Sequence, residues 1–192
     1  MERRKFVVGL GALASGSAAA MGTGAFTSVE ADRNVDVNVS DDAAAYLRLQ
    51  GSGGNNSEYV TQDGDGNQLA INLTDSNNNF PSSTDPNGVN PDAVTQLDNL
   101  FVIQNQGTQE VSVDISKSGG NTSVVGFYAN TSESPTGRYN PSNGNTVRLG
   151  SGSITLTTGE TVYVSIEIDT EDSGVSSGTQ VLNSVTVNAD AT

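Results

Sequence analysis

Apolar and polar residues alternate in a series of short segments that begins near residue 34. In the first segment, 34–40, Val35, Val37 and Val39 alternate with polar side chains. Alternation with a period of two residues is typical of a β-strand that buries one face. The same pattern predicts further strands over 46–49, 69–73, 111–115, 123–130, 147–149, 154–156, 162–168 and 181–188.

The densest apolar stretch is a continuous Leu-Phe-Val-Ile run at 100–103, within the segment 97–104. Such a run suits a central strand that is buried on both faces. A polar turn at 105–108 follows, so the sequence predicts a β-hairpin of 97–104 and 111–115 at the core. About nine or ten short strands separated by turn signals predict an all-β fold, a single β-sandwich of the jelly-roll or immunoglobulin-like kind.

The first 26 residues have a different character. Arg3, Arg4, Lys5 and Phe6 open a weakly apolar tract that leads to three alanines at 18–20. A basic start, an apolar middle and a small-residue exit predict a secretory leader, and the paired arginines resemble the twin-arginine (Tat) signal of proteins exported folded. The alternative is a chance Arg-Arg pair before a membrane anchor, but a tract so rich in Gly and Ser is a poor bilayer span.

The sequence therefore predicts two parts, a signal segment over 1–26 and an exported β-sandwich domain over 27–192. We expect the Tat export machinery to be a partner, and either further copies of the chain or cell-surface components to be others. We also expect an extracellular or cell-surface location, with a membrane tether if the leader is not cleaved.

The chain is strongly acidic, with 22 Asp and Glu against eight Lys and Arg and a formal net charge of −14. Such a domain repels itself in dilute buffer, and salt screens that repulsion. Together with few large apolar residues and one lysine after Lys5, this composition is typical of halophilic proteins. Nucleic acid is not expected as a partner, because binding to phosphates needs a basic face.

Two missing residue types restrict the enzymatic chemistry that is open to the chain. It has no His and no Cys, which excludes Ser-His triads, His-ligated zinc, thiolate nucleophiles and disulfides. Glycoside hydrolysis by two carboxylates is formally open, but the sequence singles out no pair and has no Trp to stack on a sugar. No catalytic residue is predicted, and a non-enzymatic protein is expected.

One short motif begins like a calcium loop. Asp63, Asp65 and Asn67 place oxygen ligands at alternating positions. The EF-hand loop needs Gly at its sixth position and Glu at its twelfth, where this chain has Gln68 and Thr74. A tight turn before the next strand is the favoured interpretation, so no cofactor is expected. Ca²⁺ at these three residues is the alternative, and no metal is identified.

Five Asn-x-Ser/Thr sequons occur, at Asn38, Asn55, Asn72, Asn121 and Asn130. A chain this rich in Asn, Ser and Thr contains about four by chance, so their number alone indicates nothing about glycosylation. Asn55, in a predicted loop, is the first candidate for modification, and Asn121 and Asn130 are the others. Asn38 and Asn72 fall on predicted strands and are poorer candidates.

Four stretches carry a resemblance to a known family. They are RRKF at 3–6, GTGAFTS at 22–28, ADR at 31–33, and DNLF to NQGT at 98–108. Together they are similar to a family of haloarchaeal, twin-arginine-exported proteins of unassigned function. More distantly, GTGAFTS followed by a strand is similar to the start of camelysin and the TasA-type biofilm-matrix proteins.

The wider group implies a β-sandwich, and some of its members polymerise by lending an N-terminal strand to the neighbouring subunit. For this chain the resemblance implies donation of 26–40, with Val35, Val37 and Val39 filling a partner's groove. Camelysin has been described as a metalloprotease, which a chain without His does not support. The matrix proteins use the general secretion route, whereas this leader indicates folded export.

The leading hypothesis is therefore a non-enzymatic cell-surface or extracellular-matrix protein that self-assembles through its N-terminal strand into a homo-polymer. The alternative is a surface module that binds a cation or a glycan with the loops 51–67, 74–93 and 131–145. A carboxylate-based hydrolase is the least favoured function.

Overall fold

The structure covers most of the predicted sandwich. A computed structural model describes residues 45–61, 68–74, 76, 77, 79, 87–132 and 146–192. These residues belong to one compact unit, Val39–Thr192. The leader and the predicted strand 34–40 lie outside the described residues.

Ten strands account for the regular structure of the described residues. They are β1 (Leu47–Gly51), β2 (Val60–Thr61), β3 (Ala70–Ile71), β4 (Val94–Asn105), β5 (Val111–Ser118), β6 (Val125–Asn130), β7 (Thr146–Leu149), β8 (Ile154–Leu156), β9 (Thr161–Asp169) and β10 (Ser184–Ala191). Two short 3₁₀ helices, Asn55–Tyr59 and Thr122–Val124, precede β2 and β6. In the described parts of the chain, no helix has the length and apolar character needed to cross a bilayer. The prediction of an all-β fold is confirmed.

The strands form two main sheets and a small ribbon, all with antiparallel pairing. A five-stranded sheet has the order β1-β4-β9-β6-β7, a three-stranded sheet has the order β10-β5-β8, and β2 pairs with β3. Alternate residues of both main sheets meet in one hydrophobic cluster, as in a β-sandwich. Phe127 and Val164 of the larger sheet and Val113 and Leu156 of the smaller one are fully buried there.

The predicted hairpin of 97–104 and 111–115 is wrong. β4 pairs with β1 and β9, whereas β5 pairs with β10 and β8, so the turn between them crosses from one sheet to the other. The side chain of Asn105 makes this crossing possible. Its Nδ2 donates to the carbonyls of Gln109 (2.7 Å) and Leu156 (3.0 Å), and its Oδ1 accepts from the amide of Gly107 (2.9 Å). A hairpin turn would instead satisfy these groups between β4 and β5 themselves.

A β-bulge explains why consecutive apolar residues of β4 are buried, which simple alternation along a strand does not explain. The register between β4 and β9 shifts between Leu97 and Phe101, which marks a β-bulge. Asn99 in the bulge has a φ of 49°, and its amide donates to Ser165 Oγ at 3.0 Å. The extra residues let the consecutive Leu100 and Phe101 both be buried.

Candidate functional site

The two sheets of the sandwich are unequal, with five strands facing three. At one side, a short connection over 150–153 joins β7 to β8, and Leu149 bridges Gly152. The smaller sheet is thus tied to the β7 side of the larger one. At the other side it ends with β10, which among the described strands pairs with β5 alone.

A groove of about 1020 Å³ lies along β10. Its lining includes inward-facing side chains of the larger sheet and of β10, namely Leu49, Phe101, Val125, Ile166, Ile168, Val185 and Val187. Leu49 and Phe101 belong to β1 and β4, the two strands furthest from β7 in the larger sheet. Ile166 and Ile168 of β9 and Val125 of β6 also line it, so the groove extends from β1 and β4 across the larger sheet to β6.

Four of these lining residues (Phe101, Val125, Ile166 and Ile168) are buried in the core, whereas other apolar residues of the groove are only partly buried. The partly buried hydrophobic residues that pack against the core and line the groove are Leu49, Leu69, Ile71, Leu73, Val89, Val181, Leu182, Val185 and Val187. Exposed apolar surface costs about 25 cal/mol for each Å² that could be removed from water. An apolar segment that enters the groove would gain this energy from several side chains at once.

The edge of β10 has the pattern that strand addition needs. Val185 and Val187 are half-buried toward the groove, while Thr186 and Asn188 are exposed on the opposite face. A strand that pairs with this edge would form backbone hydrogen bonds with β10. Because side chains alternate along a strand, every second side chain would enter the groove.

One wall of the groove is the segment that follows β3. Asn77, which is 5 % exposed, donates from Nδ2 to the carbonyls of Glu58 (2.9 Å) and Asn72 (2.8 Å). The amide of Gly88 donates to the carbonyl of Leu73 at 2.8 Å. These contacts fix residues 72–74 to the body of the sandwich, so this wall is preformed.

The end of the groove is formed by residues 175–183, just before β10. This segment approaches the turn after β5 so closely that a side chain does not fit between them. A Cβ at Gly119 would lie 2.8 Å from the carbonyl oxygen of Val181 and 2.9 Å from Cα of Leu182. The amide of Asn183 also donates to the carbonyl of Ser118 at 2.7 Å.

Lys117 closes the inner face of β5 beside this turn. Its Nζ donates to the carbonyls of Thr122 (2.8 Å) and Val125. Burial lowers the pKa of Lys117 below its ordinary value, and the positive charge of Arg148 lowers it further. The amine therefore stabilises the turn between β5 and β6 through backbone carbonyls. Neither of these two contacts is with a carboxylate.

The structure tests only some of the residues that the sequence singled out. Arg3, Arg4, Lys5 and Phe6, the valines at 35, 37 and 39, and Asp63, Asp65 and Asn67 lie outside the described residues. Asn55 is exposed at the start of the first 3₁₀ helix. Asn121 is half-buried before the second, and Asn130 ends β6.

In the part of the chain that the structure describes, no group of three or more Asp, Glu, His or Cys is arranged to hold a metal ion. The family resemblance implied a groove in a partner subunit, but the sequence did not predict which residues line it. The alternation of β10 gave a partial signal for it, but that β10 pairs with only one other described strand follows from the strand order, which one sequence does not reveal.

The groove lies within the part of the chain that matches a family model. The model, described as "Protein of unknown function (DUF1102)", matches residues 52–192, from the loop after β1 to the last residue. Among curated proteins, none matches the chain. The chain belongs to the DUF1102 family of proteins of unknown function.

Proposed function

We propose that this chain is a non-enzymatic protein of the cell surface or extracellular matrix, exported by the Tat route, that assembles with copies of itself. Each subunit receives the N-terminal strand of a neighbour in the groove beside β10. The observation that carries the proposal is the groove itself, apolar and bordered by a strand edge that pairs with no other described strand.

The segment 34–40 has the chemistry that this groove would accept. Val35, Val37 and Val39 would point inward, against Val185 and Val187 of β10. Asp36 and Asn38 would stay in solvent. Burial of three valines stabilises a contact by about 1.5–3 kcal/mol each, before the entropy of ordering the strand is subtracted.

Three features of the sequence support the export and the absence of catalysis. The leader carries Arg3 and Arg4 before a weakly apolar tract, which is typical of Tat signals. The chain lacks the His and Cys on which most hydrolytic and redox sites depend. Its acidic surface suits an exported protein that works in high salt, which is the setting that the haloarchaeal resemblance implies.

The first test is the size of the native protein in molar salt, measured by light scattering and electron microscopy. We expect filaments or a broad, very large species. Deletion of residues 27–40 should leave a soluble β-rich monomer, because the groove is built from later residues. A discrete wild-type monomer, or a polymer that persists after the deletion, would overturn the proposal.

Point variants separate the two faces of the proposed strand. The triple variant Val35→Ser, Val37→Ser, Val39→Ser should abolish assembly, because polar side chains would then enter an apolar groove. The matched control replaces Asp36 and Asn38 with serine, on the opposite face, and should assemble like the wild type. Equal behaviour of the two variants would exclude insertion of this face.

A disulfide test distinguishes a neighbour's strand from the subunit's own. The chain has no cysteine, so a mixture of Asn38→Cys and Thr186→Cys allows one disulfide between unlike variants, and each variant oxidised alone reports the disulfides between like variants. Intermolecular donation predicts a covalent dimer of the two variants on oxidation. The register between the donated strand and β10 is not known in advance. Ser184→Cys and Asn188→Cys therefore test the two neighbouring positions on the exposed face of β10.

A further inference from the structure

The turn after β3 holds one sequon in a bent conformation, in which Asn72 is half-buried and Thr74 is exposed. β3 ends at Ile71, so Asn72 is not inside a strand, contrary to the strand predicted over 69–73. Oδ1 of Asn72 accepts hydrogen bonds from the amide of Thr74 (3.0 Å) and from its Oγ1 (2.8 Å). Nδ2 of Asn72 donates to Ser76 Oγ at 3.0 Å.

The backbone of this sequon is held in place from both sides. The amide of Asn72 donates to the carbonyl of Tyr59 at 2.8 Å, and its carbonyl accepts from Asn77 Nδ2 at the same distance. Thr74 and Ser76 are exposed. The bent conformation thus belongs to the folded protein and needs no local unfolding to be reached.

The other described sequons have different geometries. In the one at Asn55, Ser57 Oγ donates to the carbonyl of Gly54 (2.6 Å), inside a 3₁₀ helix. Asn121 stands directly before a 3₁₀ helix that contains the other two residues of its sequon.

Asn130 comes closer to the geometry of Asn72, since its Oδ1 accepts from the amide of Ser132 at 2.9 Å. Its Nδ2, however, donates across to Thr146 Oγ1 on β7 (3.2 Å). Among the described sequons, a hydroxyl of the third residue contacts the asparagine Oδ1 at Asn72 alone.

This contact bears on the chemistry of N-glycosylation. An amide nitrogen is a weak nucleophile because its lone pair is delocalised into the carbonyl. Two donors on Oδ1 stabilise negative charge there, so they make the Nδ2 protons easier to remove. As the bond from Nδ2 to the anomeric carbon of the sugar forms, the bond from that carbon to a phosphate oxygen breaks. The Nδ2 proton passes to a base of the transferase, and the phosphate leaves with the bonding electrons.

We infer that Asn72 is an acceptor site for an N-linked glycan, transferred from a donor in which the sugar is activated as a phosphate ester. The inference rests on the proposed export, which brings the chain to the compartment where such transfer occurs. A protein exported folded meets the transferase folded, so an acceptor on the folded surface is the one that can be used. This site is distinct from the candidates that the sequence favoured, at Asn55, Asn121 and Asn130.

The test expresses the full chain in a host that N-glycosylates its exported proteins and digests the exported fraction at acidic residues. Cleavage after Asp65 and Asp75 releases the peptide 66–75, whose mass reports the state of Asn72. We expect the mass of a glycan on this peptide. Thr74→Ala should reduce its occupancy at least tenfold, Thr74→Ser should retain it, and Ser132→Ala in the Asn130 sequon should leave it unchanged.

An exported protein whose 66–75 peptide is unmodified would overturn the inference, as would occupancy that is insensitive to Thr74→Ala. Retention of the chain inside the cell would instead count against the proposed export. In that case residues 1–26 are replaced by the leader of a glycosylated protein of the same host. An unmodified peptide in that exported fusion would then overturn the inference, independently of the route.

Discussion

At the scale of the residue, Asn105 is a buried polar side chain that makes three hydrogen bonds to the backbone. It is 2 % exposed, and its side-chain amide contacts the backbone of Gln109, Leu156 and Gly107. Its backbone adds bonds to Glu160 (3.0 Å) and Gly159 (2.7 Å). One side chain thus joins the end of β4 to the β4–β5 turn and to β8.

Asn105→Ala should lower the free energy of unfolding by about 3 kcal/mol, because it leaves two carbonyls and one amide without their partner. Urea unfolding in molar salt measures this. The matched control is Asn188→Ala, which removes an exposed bond to Ser116 Oγ and should cost about 0.5 kcal/mol or less. Equal losses in the two variants would show that the Asn105 contacts are unimportant.

At the scale of the element, the turn after β5 positions the end of the groove. Gly119 has a φ of 156° and backbone atoms of 181–183 within 3.0 Å of where a Cβ would be. Gly119→Ala should destabilise the protein by about 1–3 kcal/mol and displace residues 175–183, because backbone rather than a side chain must move. Hydrogen exchange of the amide of Asn183, which bonds to Ser118, would report the displacement.

Gly120→Ala is the control for this prediction, since the nearest atom to its Cβ would be 3.9 Å away. It should leave both stability and the exchange rate of Asn183 unchanged. If Gly119→Ala behaves in the same way, the close approach does not position the groove.

The strands also show which parts of the fold can be predicted from the sequence. Period-two alternation predicted the strands around β1, β5, β6, β7, β8 and β9, since each has one face toward the core. The alternation did not predict strand pairing or strand ends that depend on tertiary contacts. The sequence of β4 and β5 resembles a hairpin, but the two strands belong to different sheets. The side chain of Asn105 forms the hydrogen bonds that the backbone of the turn needs. β10 begins at Ser184, three residues later than predicted, since 181–183 bond to the β5 turn.

The groove could not have been predicted from the sequence, because it depends on how many strands each sheet contains. The conformation at Asn72 could not be predicted either, because it also depends on which strands pair. Leu69, Ile71 and Leu73 alternate, but β3 pairs with β2 only over Ala70 and Ile71. Asn77 then holds the chain after β3 by its contact with the carbonyl of Asn72.

At the scale of the whole molecule, the net charge of −14 predicts that the stability of the protein increases with salt concentration. Raising KCl from 0.1 to 1 M shortens the Debye length from about 10 Å to about 3 Å. We expect the melting temperature to rise by at least about 3 °C, which is roughly 1 kcal/mol for a domain of this size.

A less acidic variant is the control for the salt effect. Amides in place of the exposed Asp169, Glu171 and Asp172 remove three negative charges and should reduce the rise. A melting temperature that does not respond to KCl would show that self-repulsion is a minor term in the stability of this fold.

The position of Lys117 has a practical consequence for attaching anything to this protein. It is the single lysine after Lys5, and its amine is bonded to two backbone carbonyls at one end of the sandwich. Dyes, cross-linkers and supports that react with amines therefore find one lysine side chain within residues 27–192, and reaction there competes with the hydrogen bonds that close the β5–β6 turn. Carbodiimide activates the carboxylates, all but one of which follow Lys5, and an added amine label in excess outcompetes Lys117 for them.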